Sequence, residues 1–227
     1  MKRTLYICSL IVLGAMDAHT TRADGLSGLY VGGSFGRAEN TYDTGFVDDP
    51  YVSSAAAAGD QLKFTSSSVH RWDNSWSANA GYMLWDYFGI DAMFLHVGEL
   101  THRASGVVKI SAGDQGLIDT ATVTSHGPAL SMRIRLPLTQ SFAVDVRLGD
   151  YYARTALTSG SLFRSKYTQG TETHTGSSLL AGVGGAYTFA GHWSVRLDFL
   201  RINDAGDSAN VGKYSANVAT AGASFAF

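Results

Sequence analysis

Four histidines lie at or beyond one end of the apolar segments of this chain: His96, His102, His126 and His174, with Ser105 and Ser125 close by in sequence. A serine activated by an imidazole base, itself oriented by a third group, is the equipment of acyl transfer. Serine is common in these stretches, so closeness along the chain singles out no nucleophile, and no catalytic residue is assigned. The histidines show neither the His-x-His nor the His-x-x-x-His spacing of a metal site. No metal and no cofactor are therefore expected. The glycine-rich stretch Gly32–Gly36 (GGSFG) is not a phosphate loop. Its small residues leave room for larger side chains on neighbouring segments.

A second set of chemically active residues is charged. In Trp193–Phe199 (WSVRLDF), Trp193, Val195, Leu197 and Phe199 share one parity, while Arg196 and Asp198 share the other. Side chains of a strand alternate between two faces, so one face is apolar and the other charged. Across the whole chain the charged parity gathers Asp91, Arg133, Arg135, Asp145, Arg147, Arg196 and Asp198. Mixed in sign, these seven residues suit ion pairing across a narrow interior. They do not suit a lipid face, where a mid-membrane Lys or Arg costs about 2–4 kcal/mol.

Eight segments of period two are available to position them. They are Gly28–Arg37, Ser75–Trp85, Tyr87–Val97, Thr122–Leu136, Phe142–Tyr152, Ser177–Phe189, Trp193–Ile202 and Lys213–Phe227. Their connections alternate in length. Short links fall at Asp86, Pro137–Ser141 and Ala190–His192; long ones at Ala38–Asn74, Gly98–Ala121, Ala153–Gly176 and Asn203–Gly212. Short turns at one end and long loops at the other describe an outer-membrane barrel, with its short turns in the periplasm. Trp85, Tyr87, Phe142, Phe189 and Trp193 cluster at the short-turn end, the expected periplasmic aromatic girdle. Trp72, Trp76, Tyr152 and Tyr214 are expected in the outer girdle.

The first residues read as a secretory leader. Lys2 and Arg3 precede the apolar run Leu5–Ala15, and a cut after Ala23 follows Thr21 and Ala23; Ala18 offers a second site. The run is shorter than the ~20 residues of a membrane helix. The expected organisation is a cleaved leader over residues 1–23 and one barrel domain over 24–227. Cys8 lies in the leader, so the mature chain holds no cysteine, which excludes disulfides and thiolate metal sites. The whole chain has a formal net charge of −2, and the leader carries Lys2, Arg3 and Arg22 against Asp17, leaving −4 for the rest. A mildly acidic chain with scattered basic residues does not bind nucleic acid. Nor does it hold an apolar run that would make it an inner-membrane helical protein.

The expected fold is all-β: an eight-stranded antiparallel up-and-down transmembrane barrel with an ion-pair network filling its lumen. The expected function is structural and surface-exposed, and not enzymatic, in the outer membrane of a Gram-negative bacterium. Its loops, chiefly Ala38–Asn74, would contact an external partner. Three other readings stay open from the residues alone. One is a lipid A-modifying enzyme using Ser and His at the outer rim, and another is a small ion-conducting channel. The third is a soluble periplasmic lipocalin-like carrier, in which the charged parity would face water.

The opening GLYVGGSFG after a leader, the turn and strand WDYFGIDAMF, and a terminal strand ending in Phe227 together resemble the small outer-membrane barrels. These are the OmpA-like transmembrane domain and the opacity-type surface proteins. The resemblance implies that Phe225 and Phe227 form the terminal signal read by the barrel assembly machinery. It also implies that Asp91 is the inward acidic residue of the third strand, and that outer-membrane lipid and lipopolysaccharide surround the domain. The chain ends with the barrel, so no peptidoglycan-binding domain is expected after it.

Overall fold

The computed structural model describes residues 28–42, 52–53, 55–110, 113–163, 166–207 and 211–227. The expected leader lies outside them. The strands are β1 (Leu29–Tyr42), β2 (Gln61–His70), β3 (Trp72–Trp85), β4 (Phe88–Ile110), β5 (Gly113–Pro137), β6 (Phe142–Phe163), β7 (Lys166–Phe189), β8 (Trp193–Asp207) and β9 (Gly212–Ala226). All pairings are antiparallel. β2 and β3 pair with successive stretches of β4, on either side of Arg71, and so fill one position in the wall. The ring therefore has eight positions and closes where β1 pairs with β9 from Tyr30↔Ala226 to Tyr42↔Tyr214. Closure leaves no edge within the membrane, where an unpaired amide has no water to bond. The closing seam includes the last residue: the Phe227 amide donates to the Leu29 carbonyl at 3.0 Å, and that of Ala226 to the His192 carbonyl at 2.9 Å.

The apolar parity faces outward on every membrane-crossing strand. Val31, Phe35, Tyr82, Ile90, Phe94, Met132, Ile134, Val146, Leu148, Val183, Leu197 and Phe199 are all exposed. In water such a surface is untenable; against lipid it is the stable arrangement, and it decides which face of Trp193–Phe199 is inside. Among the described residues no helix is long and apolar enough to cross a membrane. Strands do the crossing.

At the short-turn end, Trp85, Phe142, Phe189 and Trp193 stand outward and exposed, and Tyr87 is half-buried. Trp193 meets Phe225 edge-on at 5.1 Å, and Phe225 meets Phe227 at 5.2 Å. The turn Ala190–His192 is tight because Ala190 and Gly191 both take positive φ, 51° and 78°. At the other end, Trp72, Trp76 and Tyr152 face outward, whereas Tyr214 is turned inward and buried, contrary to expectation. Its parity within β9 is that of Val218 and Thr220, which also point inside.

The expected long loops are largely strand. β4 and β5 continue as a paired hairpin to Ile110↔Gly113, and β6 and β7 to Phe163↔Lys166. β2 lies within the segment expected to be loop between Ala38 and Asn74, and β8 continues to Asp207. A tilted crossing strand uses about 9–11 residues, so β6, with 22, projects by roughly half its length beyond the bilayer. The projecting stretches are rich in Thr, Ser and Gly, and their outer face meets water. They lack the apolar alternation that betrays a lipid-facing strand.

Candidate functional site in the barrel interior

The side chains inside the ring fall into two layers. The layer near the short turns is charged. Asp145, buried on β6, accepts from Arg133 and from Arg135 Nε at 3.1 Å, and forms an ion pair with Arg196 Nη2 at 3.6 Å. Arg147, one inward position along β6, reaches Asp91 on β4 at 3.3 Å and Asp198 on β8 at 3.4 Å. Arg196 also contacts Asp198 at 3.3 Å. Asn79 of β3 donates to Asp91 at 3.3 Å, and the Arg133 guanidinium lies over the Tyr30 ring at 4.9 Å. Thus Asp91, Arg133, Arg135, Asp145, Arg147, Arg196 and Asp198 all meet inside the wall, on β4, β5, β6 and β8. Arg135 alone of the four arginines keeps a partly exposed side chain, at 29%.

Strand spacing explains why these residues converge. Each is an inward position of its strand, and antiparallel register brings Arg135 opposite Asp145 and Arg133 opposite Arg147. Two neighbouring arginines would repel, but each is aimed at a different carboxylate. Glycine makes the room: a Cβ on Gly184 would collide with Asp198 Oδ1, and one on Gly81 with the Tyr30 hydroxyl. Within this low-dielectric space the pairs hold strongly, while loss of one partner leaves a buried charge without compensation.

The second layer, further from the short turns, is apolar. Leu95, Val97 and Leu100 of β4, Leu180 of β7, Leu200 and Ile202 of β8, and Val218 of β9 are buried together with Tyr151 and Tyr214. The lumen is therefore not filled by ion pairs throughout, as the sequence led us to expect; beyond the charged layer it holds a hydrophobic plug. The signal was present as apolar doublets, Phe94-Leu95, Leu179-Leu180 and Phe199-Leu200, in which one member faces lipid and the other faces inward. A rule that equates apolar with lipid-facing misses the second member. At the edge of this layer Ser125 and Tyr151 pair at 3.1 Å, and the Tyr42 hydroxyl donates to the Val211 carbonyl at 2.8 Å.

The histidines do not assemble with the serines singled out in the sequence. His96 and His126 face outward, with ring centroids 6.4 Å apart, beside Trp76 and Phe94. Ser125 faces inward, so the wall of the barrel separates it from both. His102 is buried inside, while Ser105 takes the opposite face of β4. His174 pairs with Asp207 at 3.3 Å. Among the described residues no group of three His, Cys, Asp or Glu is arranged to hold a metal ion.

Comparison with known proteins gives the sequence a family. The family model described as the OmpA-like transmembrane domain matches residues 27–227. Outer membrane protein A of Serratia marcescens is 22% identical over 183 residues, which is 81% of this chain and 44% of that protein. The chain thus spans less than half the length of that relative. Among solved structures, the outer membrane protein OprG of Pseudomonas aeruginosa aligns over 88% of this chain and 96% of its own, at 15% identity and a TM-score of 0.46. Neisserial surface protein A aligns over 90% and 100%, at 13% identity and a TM-score of 0.43.

Proposed function

The chain belongs to the OmpA-like transmembrane domain family of Gram-negative outer-membrane proteins, and from that premise we propose that it is a sealed, non-enzymatic barrel that displays rigid hairpins on the cell surface. The observation that carries the reading is the filled interior. A charged layer on Asp145 and Arg147 and an apolar plug on Leu95, Leu180, Leu200 and Ile202 follow one another along the axis. An ion entering from the periplasmic side would have to displace buried ion pairs and then cross the dry layer, at a desolvation cost of several kcal/mol. A wall of eight strands has space for side chains and little else. The charged layer is then a structural device that holds the strands in register, and the hairpins carry whatever recognition the protein performs.

The absence of catalysis in this reading is supported by the separation of His96 and His126 from Ser125 across the wall. Phe225 and Phe227, seated at the closing seam, suit a terminal signal for the assembly machinery. The experiment is two-sided. Protease added to intact cells is expected to cut only in the hairpin tips and in the segment between β1 and β2, leaving a membrane-protected core. The purified barrel in a planar bilayer is expected to give no discrete conductance steps. Stable steps from the unaltered protein would replace this reading with the channel reading.

A further inference from the structure

The strand ring is complete only at membrane height. Above it the wall is reduced to the projecting stretches of β2, β4, β5, β6 and β7, paired in that order, with β2 and β7 at its outer edges. β8 pairs with β7 no higher than Leu179↔Asn203. Among the described residues, the projecting part of β7 therefore bonds through its backbone to β6 alone. All eight residues Lys166–Thr173 are exposed, on both faces of the strand. Below them the edge is covered: His174 pairs with Asp207, at the end of β8, at 3.3 Å.

An edge strand presents a row of unpaired N–H and C=O groups, and proteins blunt such edges with bulges, charges or Pro. β2 is blunted in this way, by a bulge between Phe64 and Ser66 beside Lys63. β7 keeps unbroken register with β6 from Phe163↔Lys166 to Phe142↔Tyr187 and contains no Pro. Its free edge is an open template for one more strand.

That template, KYTQGTET over Lys166–Thr173, is complementary to itself in reverse. Centred on Gln169, an antiparallel copy puts Lys166 opposite the partner's Glu172 and Glu172 opposite the partner's Lys166. Both pairs fall on the inward face, the parity of Leu180. On the outward face Tyr167 meets the partner's Thr171. Opposite charges facing each other across a strand pair stabilise it, and like charges oppose it. Among the described residues no ion pair already engages Lys166 or Glu172. The overlap ends just above His174, where β8 covers the edge.

Direction selects the partner. β7 descends from its hairpin tip towards the short turns. Two copies in one membrane descend together, so their edges pair only in parallel, with like charge at the height of like charge. Antiparallel pairing needs an inverted copy, in the outer membrane of a facing cell. We propose that the free edge of β7 is a homotypic adhesion site, which adds the same edge of a second copy on a neighbouring cell, antiparallel about Gln169. Each joint is short, and strength comes from many joints at one contact. The proposal rests on the display of the hairpins outside the cell and is independent of whether the lumen conducts.

The test uses cells without O-antigen that express the full chain, in two differently coloured populations, read by settling and microscopy. Cells with the unaltered chain are expected to clump. Lys166→Glu and Glu172→Lys, each alone, set like charges opposite one another and are expected to slow settling about tenfold. Mixed, these two populations are expected to clump with each other, and a chain carrying both changes to clump with itself. On oxidation Gln169→Cys, at the two-fold centre, is expected to link differently tagged chains of two cells. Thr173→Cys is not, because its counterpart lies roughly 27 Å away at ~3.4 Å per residue. Labelling of Gln169→Cys by a membrane-impermeant maleimide reports display, and heat-modifiable migration reports folding. With labelling intact, the proposal is overturned by unaltered cells that stay dispersed, by undiminished clumping of the folded single charge variants, or by linkage at both cysteine positions within one cell. The display reading survives each of these. Folded chain that the maleimide does not reach would overturn both.

Discussion

Asp145 serves three guanidiniums, and of these Arg196 alone also reaches a second carboxylate, Asp198. Replacing it by Asn keeps the shape and removes the charge, leaving Arg133 without its carboxylate in a fully buried position. We expect a loss of about 3–5 kcal/mol, the range for breaking a buried pair from one side, read as a lower urea midpoint for unfolding from lipid vesicles. Arg135→Gln tests the same carboxylate from the exposed side. Its side chain already meets solvent, so the expected loss is under about 1 kcal/mol. The seven charged positions were legible in sequence because each shares a parity with the others of its strand and interrupts no apolar run. Who pairs with whom was not legible. That Asp145 rather than Asp198 takes Arg133 depends on cross-strand register, and one residue of slip would aim the same side chains at lipid.

At the scale of the element, the membrane-crossing strands could be read from their alternation, and the projecting hairpins could not. The pattern that marks Trp193–Phe199 exists because one side of the strand meets lipid; above the bilayer both sides of β6 and β7 tolerate Thr, Ser and Gly, and the alternation fades. Cross-strand hydrogen bonding nonetheless continues, register by register, to Phe163↔Lys166. An epitope inserted between Phe163 and Lys166 is therefore expected to be labelled on intact cells without loss of heat-modifiable migration. The same insertion between Met83 and Trp85, at the bulged end of β3 near the short turn, is expected to block assembly. The ring of Phe227, just beyond β9, packs on Phe225 at 5.2 Å, so Phe227→Ser, which removes it, is expected to lower the amount of folded barrel in the outer membrane severalfold, measured by immunoblot of unheated samples.

For the whole molecule, the layered interior makes a prediction that neither layer makes alone. Opening only the plug, by Leu200→Ser with Ile202→Ser, exposes the ion pairs to water from outside. It is expected to give small, flickering conductance steps in a planar bilayer where the unaltered protein gives none. The break in β4 at His96/Gly98 has a consequence for the molecule as a whole. Gly98 takes a φ of 89°, a Cβ on it would lie 2.7 Å from the Asn74 carbonyl oxygen, and the following amide of Glu99 donates to Asp73 at 2.8 Å. Below the break the inward residues are odd-numbered, Asp91 to Val97; above it they are even-numbered, Leu100 to Val108. β8 makes the same exchange between Ile202 and Ala205. One strand therefore carries two reading frames, joined at a fixed punctuation mark. A single-residue deletion above the mark would exchange the inward and outward side chains of the rest of that strand, as far as its hairpin tip, while leaving the lipid-facing message below it letter for letter unchanged.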